Sequence, residues 1–263
     1  MESLKNRWAL ILGASSGFGA ESARELSRNG MNIFGVHLDR RAGLAQVEKL
    51  KQGIEDCGQK GIFFNVNAAD DEKRKTVIDT IQQEIGGQPL HIFIHSLAFG
   101  TLRPFINDDP SQNLTKAQLE MTLDVMANSL VYWTQDLLAK KLLGAGSRIF
   151  AMTSSGGTRV FPTYGAVSAA KAALESHCRQ LTLELGKYGI SVNAIRAGVT
   201  HTPALEKIPN FEKIMEITLQ KNPWARLTQP SDVAKSILAL SLPGTEWVTG
   251  NVIGVDGGEN IVD

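Results

Sequence analysis

The first helical pattern of the chain opens with Gly13-Ala14-Ser15-Ser16-Gly17-Phe18-Gly19, directly after the apolar run Trp8–Leu12. Glycine lets the backbone turn tightly at such a junction, and it lets a phosphate group approach the free N–H groups at the start of a helix. A glycine-rich turn alone is weak evidence, because ordinary strand-to-helix turns also contain glycine. At the first junction of a longer strand–helix series, it indicates a dinucleotide-binding site.

Apolar runs and helical patterns alternate along nearly the whole sequence. The predicted strands are short and rich in Ile, Val, Phe and Leu, as strands buried on both faces are. They are Trp8–Leu12, Asn32–His37, Ile62–Val66, His91–Ser96, Arg148–Thr153, Ser191–Ile195 and Asn251–Val255. The predicted helices are Gly17–Ser27, Arg41–Cys57, Asp71–Ile85, Lys116–Leu143, Tyr164–Tyr188 and Ser231–Leu242. This alternation predicts a Rossmann-like α/β fold with a doubly wound parallel sheet of seven strands, and residues 1–263 are expected to form a single domain.

The composition excludes several classes of protein. Of 263 residues, 43% are hydrophobic, and Lys plus Arg equals Asp plus Glu at 27 each. A net charge near zero gives no basis for a nucleic-acid-binding surface. The two cysteines, Cys57 and Cys178, have no metal-ligand spacing, so no metal site is predicted. No signal peptide and no apolar run of ~18 residues occurs, so we expect a cytoplasmic protein without a membrane span.

Two segments interrupt the alternation. Residues 98–113 contain Gly100, Pro104 and Pro110, and residues 197–222 contain two prolines and one short helical pattern. Both segments begin at the carboxyl end of a predicted strand, which is where ligands bind in sheets of this kind. We therefore predict that residues 197–222 form a substrate-binding loop, with an ordinary surface excursion as the alternative.

The end of the second strand bears on which dinucleotide is bound. Here the chain reads His37-Leu38-Asp39-Arg40-Arg41. An acidic group at this point hydrogen-bonds the ribose hydroxyls of NAD, whereas a basic group pairs with the 2′-phosphate of NADP. Arg40 and Arg41 can bind a phosphate in bidentate fashion, so NADPH is the favoured cofactor and NAD remains possible.

A tyrosine and a lysine stand seven residues apart, at Tyr164 and Lys171. On a helix, this step turns the chain by about 700° and rises about 10 Å, so both side chains project from one face. A phenol and an ammonium on one face can serve a reaction that builds negative charge on an oxygen. The commoner spacing places the tyrosine four residues before the lysine, where this chain has Val167.

These motifs carry a family resemblance over nearly the whole chain. The sequence resembles the short-chain dehydrogenases/reductases through its glycine turn, Asn193–Gly198 and Val255-Asp256-Gly257-Gly258. Within that superfamily it is most similar to the bacterial enoyl-[acyl-carrier-protein] reductases. The features that indicate them are Tyr164-x6-Lys171, His95-Ser96-Leu97-Ala98-Phe99, and Ala197-Gly198 in place of Pro-Gly. Gly100–Pro104 and Thr202–Lys207 resemble the NADPH-using branch.

The resemblance implies a reaction and a set of residues. Hydride transfer to the β-carbon of an enoyl thioester, linked to acyl carrier protein or CoA, would place charge on the thioester oxygen during fatty acid synthesis. Tyr164 would hydrogen-bond that oxygen, Lys171 would hold the nicotinamide ribose, Ser154 would stand nearby, and the subunits would form a homotetramer. The predicted cofactor-binding residues are Gly13, Ser15, Ser16, Gly17, Phe18, Gly19, Arg40, Arg41, Asn67, Ala68, Ser96, Leu97, Ala98, Lys171, Ala197, Gly198, Val199 and Thr202.

The departures from the family pattern separate two reactions. Met126 stands where ketoreductases have a catalytic asparagine, and Ser154 stands where many enoyl reductases have a second tyrosine. Ser16 replaces an arginine that NADPH users often have. A 3-oxoacyl reductase needs a proton relay that Met126 and Val167 do not supply. We therefore keep this activity as an alternative, behind the enoyl reductase. A non-catalytic NADP-binding sensor is the third possibility.

Overall fold

A computed structural model describes residues 2–262 and has one sheet of seven parallel strands in the order β3-β2-β1-β4-β5-β6-β7. The strands are β1 Trp8–Leu12, β2 Asn32–His37, β3 Gly61–Asn65, β4 Ile92–His95, β5 Arg148–Ser154, β6 Ser191–Ala197 and β7 Val252–Val255. The predicted fold class and strand number are therefore confirmed, and each predicted strand lies within two residues of an observed one at both ends.

The helices cover both faces of the sheet. They are α1 Gly17–Arg28, α2 Arg41–Glu55, α3 Asp71–Glu84, α4 Lys116–Leu123, α5 Ser129–Ala139, α6 Gly165–Leu185, α7 Phe211–Lys221 and α8 Pro230–Ala239. Alternate residues of each strand enter opposite cores. Leu10 and Leu12 pack with α3, α5 and α6, whereas Ala9 and Ile11 pack with α1, α2 and α8. This alternation follows from the two-residue period of a strand, and it explains why the strands are apolar throughout.

The predicted helix Lys116–Leu143 begins where predicted and is continuously helical to Ala139, but it contains a π-helical turn and ends earlier than predicted. A π-helical turn at Asp124–Asn128 separates α4 from α5, and α5 ends at Ala139. Lys141 adopts a left-handed conformation with φ of 58°, and the Leu142 N–H donates to the carbonyl of Leu137. This hydrogen bond closes the helix end as a Schellman turn does, although the position holds lysine where glycine is usual.

Two further elements differ from their predictions. The short helical pattern predicted within the segment 197–222 forms the eleven-residue helix α7, so only the rest of this segment is a loop or a short 3₁₀ turn. Tyr164 precedes the first turn of α6, at the N-cap, and is not itself helical. No helix in residues 2–262 is long and apolar enough to cross a membrane.

The strand order places the site. β1 pairs with β2 on one side and with β4 on the other, so the crossovers leave β1 in opposite directions. Such a switch point opens a crevice at the carboxyl ends of the strands, where doubly wound proteins bind their ligands.

Candidate active site

One continuous cleft runs along the carboxyl edge of the sheet and has two halves. The glycine-turn half is lined by Gly13, Ser15–Phe18, Val36–Asp39 and Val66–Ala68. The tyrosine half is lined by Ser154, Tyr164, Lys171 and Ala197–Thr200, among others. The residues that border both halves are Phe18, Ser96, Leu97, Ala98, Thr202, Ala204 and Lys207.

The glycine turn brings backbone close to backbone. Gly13 has φ of +83°, and a Cβ there would overlap the main-chain carbonyl of Ser96. Gly19 packs its Cα against the Gly13 carbonyl, so it shapes the turn from below and does not line the cleft. Ser16 is the N-cap of α1, yet its side chain makes no capping hydrogen bond. The start of α1 is therefore open to an anion, which fits the diphosphate of a dinucleotide.

At the end of β2, a carboxylate lies against the cleft. Asp39 Oδ2 is 2.9 Å from Nδ1 of His37, and Asn65 holds the Asp39 main chain through two hydrogen bonds of 2.9 and 3.0 Å. Arg40 and Arg41 are exposed and do not line the cleft. The predicted arginines therefore lie at its rim, while Asp39 forms part of its wall.

Asn67 and Ala68 line the glycine-turn half as predicted, but parts of them are already bonded. The Asn67 side-chain oxygen accepts from the Ala69 N–H at 3.1 Å. The Ala68 carbonyl accepts from the indole of Trp133 at 2.8 Å. Both residues thus shape the floor of this half with their side-chain or main-chain acceptors engaged.

His95 ends β4 behind the ledge formed by Ser96, Leu97 and Ala98. It is fully buried, and its Nε2 lies 2.8 Å from the hydroxyl of Ser129. Burial, together with the nearby Lys171 charge, lowers the pKa of His95 to about 3. His95 is therefore a neutral structural side chain and does not reach the cleft.

Tyr164 and Ser154 meet in the tyrosine half. Their hydroxyl oxygens are 3.5 Å apart, at the outer limit of a hydrogen bond. Gly156 makes room for the Tyr164 ring, because a Cβ there would overlap it, and Phe161 packs edge-on with ring centroids 5.9 Å apart. Burial raises the pKa of Tyr164, and the Ser154 contact opposes this rise. The phenol thus stays protonated at neutral pH and can donate a hydrogen bond.

Lys171 is buried on the same side of α6. Its Nζ donates to the carbonyl of Met152 at 2.6 Å. Burial lowers the pKa of Lys171 to about 8, whereas Glu175 one turn later acts to raise it. Glu175 is itself held by the Thr153 hydroxyl at 2.7 Å. The Lys171 ammonium is therefore charged at neutral pH, although its pKa of about 8 lies not far above that pH.

The wall beside Tyr164 is apolar. Met126 and Val167 line it, and both pack against Gly100, where a Cβ would lie 2.8 Å from Met126 Sδ and 2.7 Å from a Val167 methyl. The rest of this wall comes from Leu97, Leu102, Phe161, Leu205, Ile208 and Ile214. Such a surface accommodates an alkyl chain and offers no second proton donor at Met126 or Val167.

The turn after β6 is tied down within the protein. Val199 donates its N–H to Glu259 Oε2 at 2.9 Å and accepts from the Thr228 N–H at 3.1 Å. Its main-chain N–H and carbonyl are therefore both already engaged within the protein. Ala197 and Gly198 line the cleft beside it, and Thr202 packs over Gly17 where the two halves meet.

Several residues of the site were missed in the sequence. Glu259 follows a glycine pair near the end of the chain, and only its unusual burial marks it. Phe161 and Ile208 are apolar residues in segments without periodicity, whereas Ile214 lies on α7, and no local pattern distinguishes the three from core residues. No cluster of three metal-ligating side chains occurs within residues 2–262.

The fold and the cleft define a class of protein, the nicotinamide-dinucleotide-dependent oxidoreductases of the short-chain dehydrogenase/reductase type. Comparison with known proteins then gives the family. The chain belongs to the enoyl-(acyl carrier protein) reductase family, whose sequence model matches residues 13–260.

Individual relatives span nearly the same length. A 1-cyclohexenylcarbonyl-CoA reductase of Streptomyces collinus is 30% identical over 97% of this chain and 87% of its own. An enoyl-[acyl-carrier-protein] reductase [NADH] of Bacillus cereus is 28% identical over the full length of both chains. The structure of a Bacillus cereus enoyl-acyl carrier protein reductase with NADP⁺ and an indole naphthyridinone superposes with a TM-score of 0.87, at 27% identity and complete coverage of both chains.

Proposed function

We propose that this protein reduces the 2,3 double bond of an enoyl thioester with NADPH. The observation that supports this reaction best is the tyrosine half of the cleft, where one buried phenol stands beside an apolar wall formed by Met126 and Val167. Reduction of a conjugated double bond needs charge stabilisation on the thioester oxygen. Carbonyl reduction instead needs a proton relay to the substrate oxygen, and neither Met126 nor Val167 can take part in one.

Tyr164 is proposed to bind the thioester oxygen. When bound, the reduced cofactor supplies a hydride to the β-carbon, and negative charge then collects on that oxygen. The protonated Tyr164 donates a hydrogen bond there, and Ser154, 3.5 Å away, orients the phenol. A preorganised donor of this kind stabilises the developing charge in a water-poor site. A proton delivered to the α-carbon, either from Tyr164 or from water, then completes the reduction.

Lys171 is proposed to fix the nicotinamide ribose and to add positive potential. Its ammonium is buried and bonded to only one carbonyl, that of Met152, so it has hydrogen-bonding capacity left for ribose hydroxyls. Glu175 keeps the pKa of Lys171 from falling further and thus supports the charged form. An immobilised cation lowers the energy of a nearby enolate more than a solvated one does.

The choice of NADPH rests on the end of β2. Asp39 would repel a 2′-phosphate, but its Oδ2 lies 2.9 Å from Nδ1 of His37, so this carboxylate already has a partner within the protein. Arg40 and Arg41 are exposed at the first turn of α2 and have no ion-pair partner in the described chain, so their side chains are free to reach a phosphate. The N-terminal end of α2 also carries a positive partial charge, which favours a bound phosphate. NADH is the alternative, since Asp39 could bind ribose hydroxyls instead.

The substrate is proposed to enter beneath residues 197–222. Leu205, Ile208 and Ile214 from this segment face the apolar wall near Tyr164, which suits the acyl chain of a thioester. The carrier would be acyl carrier protein or CoA, as in the relatives, and fatty acid synthesis is the process in which the family's reaction stands. We also propose a homotetramer, for which the molar mass in solution is the direct measurement.

The test of this function is one assay with two cofactors and two substrates. NADPH oxidation should be rapid with a crotonyl thioester and slow with an acetoacetyl thioester. A preference for the acetoacetyl thioester would instead establish a 3-oxoacyl reductase. Binding of NADPH without turnover of either substrate, in acyl-carrier-protein or CoA form, would favour a non-catalytic sensor.

A further inference from the structure

Glu259 is a buried carboxylate at the far end of the chain. It begins a short 3₁₀ turn, Glu259–Ile261, directly after Gly258, which has φ of 85°. Only 6% of Glu259 is exposed, and its Oε2 accepts the N–H of Val199 at 2.9 Å. A hydrogen bond thus joins the last segment of the chain to the turn after β6, which lines the tyrosine half of the cleft.

This contact completes the fixation of the turn. Gly198 donates to the carbonyl of Val255 at 3.1 Å, and its own carbonyl accepts the Thr200 hydroxyl at 3.0 Å. Val199 uses its carbonyl for Thr228 and its N–H for Glu259. A Cβ on Gly198 would lie 2.7 Å from the Glu259 carboxylate, so the two residues are also in direct contact. Removal of the carboxylate would leave the half-buried Val199 N–H without its partner.

The same segment touches two other borders of the cleft. Arg159, five residues after Ser154, donates to the Asn260 carbonyl at 2.9 Å. Asn222, at the end of α7, donates to the Asp256 carbonyl at 3.0 Å. The C-terminal residues therefore connect the segment after β5, the turn after β6 and the helix of the substrate segment.

Burying the Glu259 carboxylate at this position costs free energy, because the charged group loses its hydration. Burial raises the pKa of Glu259, the hydrogen bond from Val199 opposes the rise, and Asp256 adds to it, whereas Lys221 and Arg159 oppose it. A buried acid that makes a single hydrogen bond to a neutral N–H contributes little net stability. Packing alone would be served as well by an apolar side chain, so the hydrogen bond to Val199 is the feature that requires an acceptor.

We propose that Glu259 is a positioning residue for the nicotinamide end of the cofactor, acting through the Val199 N–H. By holding this turn in one conformation, it presents Ala197–Thr200 to the tyrosine half of the cleft before the cofactor arrives. A preformed site does not have to be ordered during binding, and this increases affinity. The inference rests on the proposed function only in placing the nicotinamide in that half.

The test compares two ligands on the full-length protein. NADPH contains the nicotinamide, whereas 2′-phospho-ADP-ribose lacks it but fills the rest of the cofactor site. Glu259→Ala should raise the Kd for NADPH about tenfold, because the Val199 N–H loses its hydrogen-bond acceptor. The same variant should leave the Kd for 2′-phospho-ADP-ribose unchanged. Glu259→Gln keeps an acceptor oxygen and should restore NADPH binding to within about twofold. Glu84→Ala, at an exposed site on α3, is the matched control and should change neither Kd.

Three results would overturn the proposal: equal weakening of both ligands by Glu259→Ala, failure of Glu259→Gln to restore binding, or no change in either variant. If Glu259→Ala does not fold, Glu259→Asp shortens the side chain by one methylene and should show the same ligand selectivity with a smaller effect. The proposed reaction is tested separately. Absence of enoyl turnover in the wild-type protein, with the ligand selectivity intact, would refute the reaction and leave the positioning role standing.

Discussion

The two halves of the cleft are built in different ways. The glycine-turn half is centred on a turn that lies within seven consecutive residues, Gly13–Gly19. The tyrosine half is lined by residues from β5, α6, the turn after β6 and α7, and that turn is held by the C-terminal segment, with Val199 and Glu259 sixty positions apart. The comparison indicates that a binding surface for a common cofactor part can be local, whereas a reaction centre requires convergence of distant segments.

The sharpest test of this contrast is Tyr164→Phe. Removing one donor from a site of charge development typically lowers kcat by about 10²–10³, or about 3–4 kcal/mol. We expect a loss of this size in steady-state turnover of a crotonyl thioester, because the phenol is the donor nearest the apolar wall. Cofactor affinity, measured by fluorescence titration, should change less than threefold. Turnover at the wild-type rate would refute the role of Tyr164.

The pH dependence of Lys171 tests the same half. Because burial lowers the pKa of Lys171 to about 8, kcat/KM should be level below that pH and should fall about tenfold per pH unit above it. Stability changes in the opposite sense: the folded state loses this proton at lower pH than the unfolded chain, so this lysine's destabilising contribution diminishes from about pH 8 toward 10.5.

A variant at Glu175 provides the control for this profile. Because Glu175 raises the pKa of Lys171, Glu175→Gln should move the fall in kcat/KM to lower pH. An unchanged profile in the variant, or a flat profile in the wild type, would contradict the assignment of the titrating group to Lys171.

Gly13→Ala addresses the glycine-turn half. The new Cβ would meet the Ser96 carbonyl in a left-handed backbone conformation, so neither atom can move without shifting a strand end. We expect a loss of about 2–3 kcal/mol in the free energy of unfolding and weakened binding of any adenine dinucleotide. Gly53→Ala is the matched control, since Gly53 lies in α2 with nothing within 4 Å of its new Cβ, and should stabilise by about 0.5–1 kcal/mol. Equal unfolding midpoints for the two variants would show that the turn is not strained by a side chain.

The smallest expected effect concerns the rim of the same half. The double variant Arg40→Ala with Arg41→Ala should raise the KM for NADPH about tenfold and leave the KM for NADH within twofold, because only NADPH carries the 2′-phosphate. Exposed charges interact weakly, which limits the effect. Equal changes for both cofactors would show that the phosphate lies elsewhere, and a gain in NADPH use by Asp39→Asn would identify Asp39 as the residue that excludes it.

The outcomes of the sequence predictions follow the same division. The seven strands, the parallel sheet and the glycine turn were predicted from local patterns. Apolar runs and glycine positions are direct indicators of backbone conformation. Tyr164 and Lys171 both line the cleft, but Tyr164 reaches it from the N-cap of α6 and not from a helical turn. The π-helical turn at Asp124–Asn128 was missed because the apolar pattern continues through it, and such a turn has no sequence signal of its own.

The sequence alone determined the fold class and the location of the cleft, because strand–helix periodicity and a glycine turn depend on neighbouring residues only. It also determined that a phenol and an ammonium would line one cleft, although Tyr164 reaches it from the N-cap of α6 and not from a helical turn. Tertiary structure decided that Asp39 lines the cleft while Arg40 and Arg41 lie outside its lining. It also decided that the Glu259 carboxylate accepts the hydrogen bond of the Val199 N–H. These results depend on which distant segments pack together. The same packing buries Tyr164 and Lys171, and this burial is the main cause of their pKa shifts.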